Sequence, residues 1–372
     1  MHTSSSVWEG LLHDLASSCE RSLRSVRAIE DPDLQPHRRD AEFRLEAIER
    51  DVADALAADP LLGADAATVA TLTAPFEYVR RMLLPFLMHF GPDERYLTNL
   101  VARLADEAEM AIPVPIVGTF SARGYWVSPP VATLCLPSGE HGQLLTFPDL
   151  AHELAHVLLS QPRSRLKGLF FAKVLGTYTS SLEDVAGEEA FGSRLYNQMD
   201  LWFEEFAADA VASYVCGPSF GWQQLRLCAQ SQNEDVPPWH PAAPAGDQQP
   251  ERFTHPADNA RTEVIALMME ATGHAASATR LRREWEALCS WAPPPPTIYS
   301  KTYGSGLLEE VARLATEWCR QEGLTAFSDC AQDSVAAAVD RAWREQLDDA
   351  STFASAQARL VANLRTLVEA QQ

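Results

Sequence analysis

The five residues His152-Glu153-Leu154-Ala155-His156 constrain this chain more than any others. Two histidines four apart share one face of an α-helix, so both can offer an imidazole nitrogen to a single ion. A glutamate directly after the first histidine can lie beside a water bound to that ion, and the water would then be the nucleophile of a hydrolysis. Pro148 followed by Asp149 marks the start of this helix, because proline is tolerated in a first turn and the helix dipole favours an acid there.

A third ligand is needed. Trp202 to Asp209 reads as a second amphipathic helix, and in it only Glu205 has an aspartate four residues on. A set of His152, His156 and Glu205 leaves a fourth position open for water, the composition of catalytic zinc sites rather than of closed, cysteine-rich structural ones. One Zn2+ per chain is therefore expected. Asp209, about one turn after Glu205, shares its helix face and can accept a hydrogen bond from the far ring nitrogen of a liganding histidine, with His152 the expected donor. Glu204 points roughly 100 degrees away around the helix and reads as either solvated or placed behind the ligands. Between the two helices, Glu183, Asp184, Glu188 and Glu189 are rival carboxylates, but none has an aspartate four residues later.

The pairing of His152-Glu153-x-x-His156 with Glu205-x-x-x-Asp209 resembles the gluzincin metallopeptidases. Thr254-His255-Pro256, with Arg261 six positions after the histidine, is similar to a third motif of the HtpX and CAAX-prenyl-endopeptidase group. The resemblance covers roughly residues 112 to 270. It implies a zincin-like core and a zinc metalloendopeptidase in which Glu153 is the general base and His255 stabilises the oxyanion of the tetrahedral intermediate. The alternative reading of His255 is a histidine near a helix start bonded to backbone, and His240 is a weaker substitute for the same role. Zincin folds commonly place an edge strand above the metal. The resemblance thus gives Val131 to Pro137 the substrate strand, through Thr133, Leu134 and Cys135; the residues themselves read as well as an ordinary internal strand. The metzincin pattern fails, since Leu159 and Pro162 stand where a glycine and a histidine would be needed. The chain also departs from the HtpX group, because no run approaches the roughly 20 apolar residues that cross a bilayer.

Charge narrows the partners. The 51 acidic against 30 basic side chains give a net charge of -21, which argues against nucleic acid and against anionic membrane surfaces. A basic or neutral polypeptide substrate fits such a surface, although the charge also serves simply to keep a protein in solution. Seven cysteines, at 19, 135, 216, 228, 289, 319 and 330, are scattered and never form a Cys-x-x-Cys pair, so they read as reduced thiols filling the core of a cytoplasmic protein. Met1 to Ser6 carries no basic segment followed by an apolar one, so no secretory signal is expected.

The length predicts about two domains with a sizeable core. Leu11, Leu12, Leu15, Cys19, Leu23 and Val26 recur at helical spacing, as do Phe43, Ile48, Val52 and Leu56, then Val69, Leu72, Phe76, Val79, Leu83 and Leu87. Residues 1–110 are thus an expected helical bundle. At Ala111 the texture turns to β-branched and aromatic runs broken by Pro and Gly, predicting a small sheet that leads into the motif helix. Residues 111–275 form the expected catalytic domain, with a mobile loop over 231–252 that is rich in Pro, Gln, Asp and Ala. Residues 276–372 return to helices after the stiff run Pro293 to Pro296. The fold class is α+β and predominantly helical.

The function predicted is zinc-dependent peptide hydrolysis. Two other expectations stand beside it: a catalytically idle, zinc-stabilised interaction protein whose helical flanks bind a partner, and a regulatory protease that cleaves one dedicated protein partner.

Overall fold

The computed structural model describes residues 5–58, 65–121, 125–128, 133–137, 142–175, 189–231, 255–295, 299–300, 303 and 306–369. They are mostly helical with one small three-stranded sheet, so helix predominates in an α+β chain. The chain divides into two compact units, Met1–Arg95 with Ile116–Phe120 and Tyr96–Pro115 with Ser121–Gln372.

The first unit holds helices α1 (Ser5–Arg27), α2 (Gln35–Ala57), α3 (Ala66–Tyr78) and α4 (Leu84–His89), with the start of α5 (Pro92–Glu107) and most of strand β1 (Ile116–Ser121). Leu12, Leu15, Cys19, Leu23 and Val26 of α1 are buried, and α1 packs on α2, whose buried stripe is Ala41, Leu45, Ile48 and Val52. Each aliphatic side chain so removed from water contributes about 1.5–3 kcal/mol. Leu11 and Phe43 were expected in these stripes and are instead exposed. Each is an apolar residue next to the true stripe, one or two positions and hence 100–200 degrees off it. Between α3 and α4 the chain widens into a π turn over Val79–Leu83, closed by the Leu84 N–H bonding to Val79 O. Pro85, in the first turn of α4, has no N–H to continue a regular ladder through this point.

The second unit carries β2 (Trp126–Ser128), β3 (Thr133–Pro137), α6 (Pro148–Leu159), the single turn α7 (Leu166–Leu169), α8 (Glu189–Cys216), α9 (Pro218–Ser231), α10 (Asp258–Ala271), α11 (Ala275–Leu288), α12 (Leu307–Gln321), α13 (Val335–Asp348) and α14 (Ala350–Glu369). Residues 276–372 thus fall in the same unit as the motif helices. Strand β2 is antiparallel to β3, with Trp126 opposite Cys135 and Ser128 opposite Thr133. At the centre lies α6, of which only His156 and Leu159 escape full burial. A helix apolar on nearly every side belongs inside a core. It packs along α8, and Ala151 and Ala155 of α6 are fully buried. Pro148 and Asp149 occupy its first turn as expected.

The loop expected over 231–252 lies, beyond Ser231, outside the described residues. The seven cysteines are free and six of them are buried. Among the described residues, no helix is long and apolar enough to cross a membrane.

Candidate metal centre

His152 and His156 project from successive turns of α6 toward Glu205 on α8. Their Nε2 atoms lie 3.1 Å apart. Glu205 answers with one oxygen each, Oε2 at 3.5 Å from His152 Nε2 and Oε1 at 3.6 Å from His156 Nε2. The ligand atoms all fall within 4.8 Å of one another, and the group could hold a metal ion. Ligands about 2.0–2.1 Å from a tetrahedral zinc sit roughly 3.3–3.4 Å from each other, close to the three separations found here. Glu205 Oε2 is buried with no hydrogen bond, an orphaned acceptor of the kind a cation satisfies. The donor set therefore fits a metal.

Behind the ligands stands a buried ion pair. His152 Nδ1 lies 3.0 Å from Asp209 Oδ1. Arg261, in the first turns of α10, grips Asp209 through Nε to Oδ2 and Nη2 to Oδ1, each at 2.7 Å, and approaches Glu205 Oε2 at 3.9 Å. Burial alone would push the Asp209 pKa up; the Arg261 guanidinium, with His152, outweighs it and holds the carboxyl well below the usual range. The same contest leaves Glu205 at about 2, with burial opposed by His152, Arg261 and His156. Burial also disfavours a charged His152, but Asp209 and Glu205 overcome it and lift its pKa to about 10. The Phe220 ring of α9 runs nearly parallel to the His152 ring, with centroids 6.0 Å apart.

Glu153 is buried and within electrostatic reach of all three ligands; desolvation raises its pKa, opposed by His152 and His156. Such a carboxyl holds a proton more readily than an exposed one. Behind the helix, Asp149 is buried and receives a 2.6 Å hydrogen bond from Gln223 Nε2. Desolvation carries its pKa up to about 7, with Gln223 partly opposing.

His255 stands at the entrance to α10, its side chain 55% exposed and its Nε2 3.5 Å from Glu205 Oε2. Partial loss of water around its ring lowers its pKa, while Glu205 works the other way. The segment it sits on is tied down by residues that no local pattern singled out. The Ala257 N–H donates to Tyr303 Oη at 3.1 Å, Asn259 Nδ2 to Tyr299 Oη at 2.6 Å, and Trp285 Nε1 to Asn259 Oδ1 at 2.6 Å. Tyr303 in turn packs on Trp202 and Phe206 of α8. Arg261 was marked in the sequence by its place six residues after His255, but its pairing with Asp209 was not.

The structure brings together His152, His156, Glu205, Asp209, Glu153 and His255. It does not bring Thr133, Leu134 and Cys135 to the site as a substrate edge. All three are fully buried, and β2 pairs along one edge of β3. An apolar run of this kind is the mark of a strand inside a core. Of the rival carboxylates, Glu183, Asp184 and Glu188 lie outside the described residues, as does the side chain of Glu189. His240 and Thr254 lie outside them as well.

No protein family, curated protein or solved structure matches the chain.

Proposed function

We propose that the chain is a zinc-dependent metallopeptidase of gluzincin type, acting on polypeptide substrates. The observation that carries this reading is the convergence of His152 Nε2, His156 Nε2 and the two Glu205 oxygens at 3.1–3.6 Å, with a buried carboxyl, Glu153, one residue from the first ligand. His152, His156 and Glu205 would hold one Zn2+, which when bound supplies Lewis acidity to a water and to the scissile carbonyl oxygen.

The remaining chemistry belongs to the chain's own side chains. The Glu153 carboxylate accepts a proton from the attacking water and returns it to the nitrogen of the leaving amine. Its buried position beside His152 lets the proton be taken up and returned away from bulk solvent. His255, exposed on one side and close to Glu205 on the other, donates to the oxyanion that develops as the carbonyl becomes tetrahedral. Asp209 fixes the His152 ring and is itself fixed by Arg261.

Elemental analysis beside a peptidase assay tests the proposal. The wild type is expected to carry about one zinc per chain, and His156→Ala and Glu205→Ala to lose it. Glu153→Gln is expected to keep the zinc and lose turnover by at least 100-fold, the scale of a missing general base. A wild type that binds no zinc after reconstitution would sink the site. A Glu153→Gln protein that retains every function would leave a zinc-stabilised interaction protein.

A further inference from the structure

His152 has a carboxylate behind it, Asp209, and a cation behind that, Arg261. His156 has the same arrangement, built from different residues. Its Nε2 faces the ligand set, while its Nδ1, on the opposite side of the ring, lies 3.5 Å from Glu204 Oε1. The other oxygen of Glu204, Oε2, is 3.0 Å from Lys167 Nζ, which also stands 2.9 Å from Asp200 Oδ2. Asp200 and Glu204 are four residues apart on α8, so one ammonium spans both. Lys167 is delivered there by α7, the turn that follows the motif helix. Its neighbour Leu166 is fully buried, and Phe170 is buried against Phe203 of α8 with ring centroids 5.8 Å apart. The stem of the lysine is therefore pinned from both sides in sequence.

We infer that Glu204 is the positioning residue of His156 and that Lys167 holds Glu204 in place for that task; the inference rests on the metal-site reading above. Glu204 approaches the ring from the Nδ1 side, away from the converging Nε2 atoms, so it is not a fourth ligand. A carboxylate at Nδ1 selects the tautomer that carries its proton there and leaves the Nε2 lone pair for the metal. Each motif histidine then has its own imidazole–carboxylate–cation relay. The His152 relay is buried and rigid; the His156 relay is partly exposed and closes the loop from α6 through α7 to α8.

The test is metal affinity, measured by competition with a chromophoric chelator using Zn2+ and Co2+ alone, together with the visible absorption of the Co2+ form. Glu204→Ala is expected to weaken binding by about 10- to 100-fold and to alter the Co2+ spectrum, as loss of a histidine's hydrogen-bonding partner does. Lys167→Met should weaken it by about 2- to 5-fold, the scale of a half-exposed ion pair, and Lys167→Arg should restore it. Because Lys167 acts through Glu204, the Lys167→Met/Glu204→Ala double variant should bind no more weakly than Glu204→Ala. Unchanged affinity in Glu204→Ala, or additive losses in the double variant, would overturn the relay while leaving the ligand set intact. A fall in the melting temperature of the chelator-treated variants with no change in affinity would mean a merely structural ion pair and would also overturn it. A wild type that binds neither ion would overturn the metal site and the relay together.

Discussion

Asp149 is the residue whose environment is least like that of an ordinary aspartate. It sits in the first turn of α6, where the dipole favours an acid, yet it is buried with a single hydrogen bond from Gln223 Nε2. The other end of the same amide, Gln223 Oε1, is buried without a hydrogen bond. A protonated carboxyl or an asparagine can donate to such an acceptor, and a carboxylate cannot. With a folded pKa of about 7 against an unfolded value near 3.9, the folded chain keeps a proton that the unfolded chain has released between about pH 4 and pH 7. Stability therefore falls as pH rises through that window, and the loss is complete above it. Asp149→Asn should remove this dependence. In chelator-treated protein, urea midpoints of the variant and the wild type should agree near pH 4 and separate above it, the variant gaining up to about 4 kcal/mol by pH 8. Parallel pH curves for the two proteins would show that Asp149 is ionised throughout.

At the scale of elements, the two motif helices were legible because ligand chemistry and helical period point to the same positions. His152 and His156 share a face by spacing, and Glu205 and Asp209 share one by the same rule, so the helices needed only to be brought together. What the local pattern could not supply is anything set by long-range packing. Lys167 looks like a surface cation in the sequence, and only the fold turns it toward Glu204; Arg261 was marked by its spacing from His255, but its partner Asp209 was not. The full burial of β3 was equally hidden, because the cover over a strand comes from partners far along the chain. Gly217 belongs to this class. It ends α8 with a φ of +58 degrees, its N–H bonds back to Ser213 O at 2.9 Å, and the Phe327 ring lies directly over it. A Cβ there would meet that ring as well as the left-handed backbone, so Gly217→Ala should cost about 1–3 kcal/mol. Because α8 carries Glu205 and Asp209 upstream of this cap, the same variant should also lower metal affinity. Chemical denaturation gives the first effect, and a variant as stable as the wild type would mean that Phe327 moves aside freely.

For the whole molecule, the placement of the centre decides how metal couples to folding. His152, Glu205, Asp209, His255 and Arg261 all belong to the unit of Tyr96–Pro115 with Ser121–Gln372, and their three segments lie about 50 residues apart in sequence. Asp209 is fully buried there, and the centre holds two imidazole nitrogens 3.1 Å apart beside a Glu205 oxygen without a hydrogen bond. A cation bound only by the native state relieves all three at once. At a free concentration 1,000 times its Kd it would stabilise that state by about 4 kcal/mol. For a unit of this size that corresponds to a melting temperature higher by roughly 10 °C. Hydrogen exchange with and without a chelator localises the effect. Amides of α6, of α8 after Trp202 and of α10 should lose protection when metal is withdrawn, because each of these elements carries a side chain of the ligand set or of the ion pair behind it. Amides of α1 and α2 should exchange at unchanged rates, since their buried stripes face each other and include none of the ligands. Equal loss of protection in α1, α2 and α6 would mean that metal release unfolds the chain as one cooperative body, and absence of any change in α6 would mean that the histidines hold no metal.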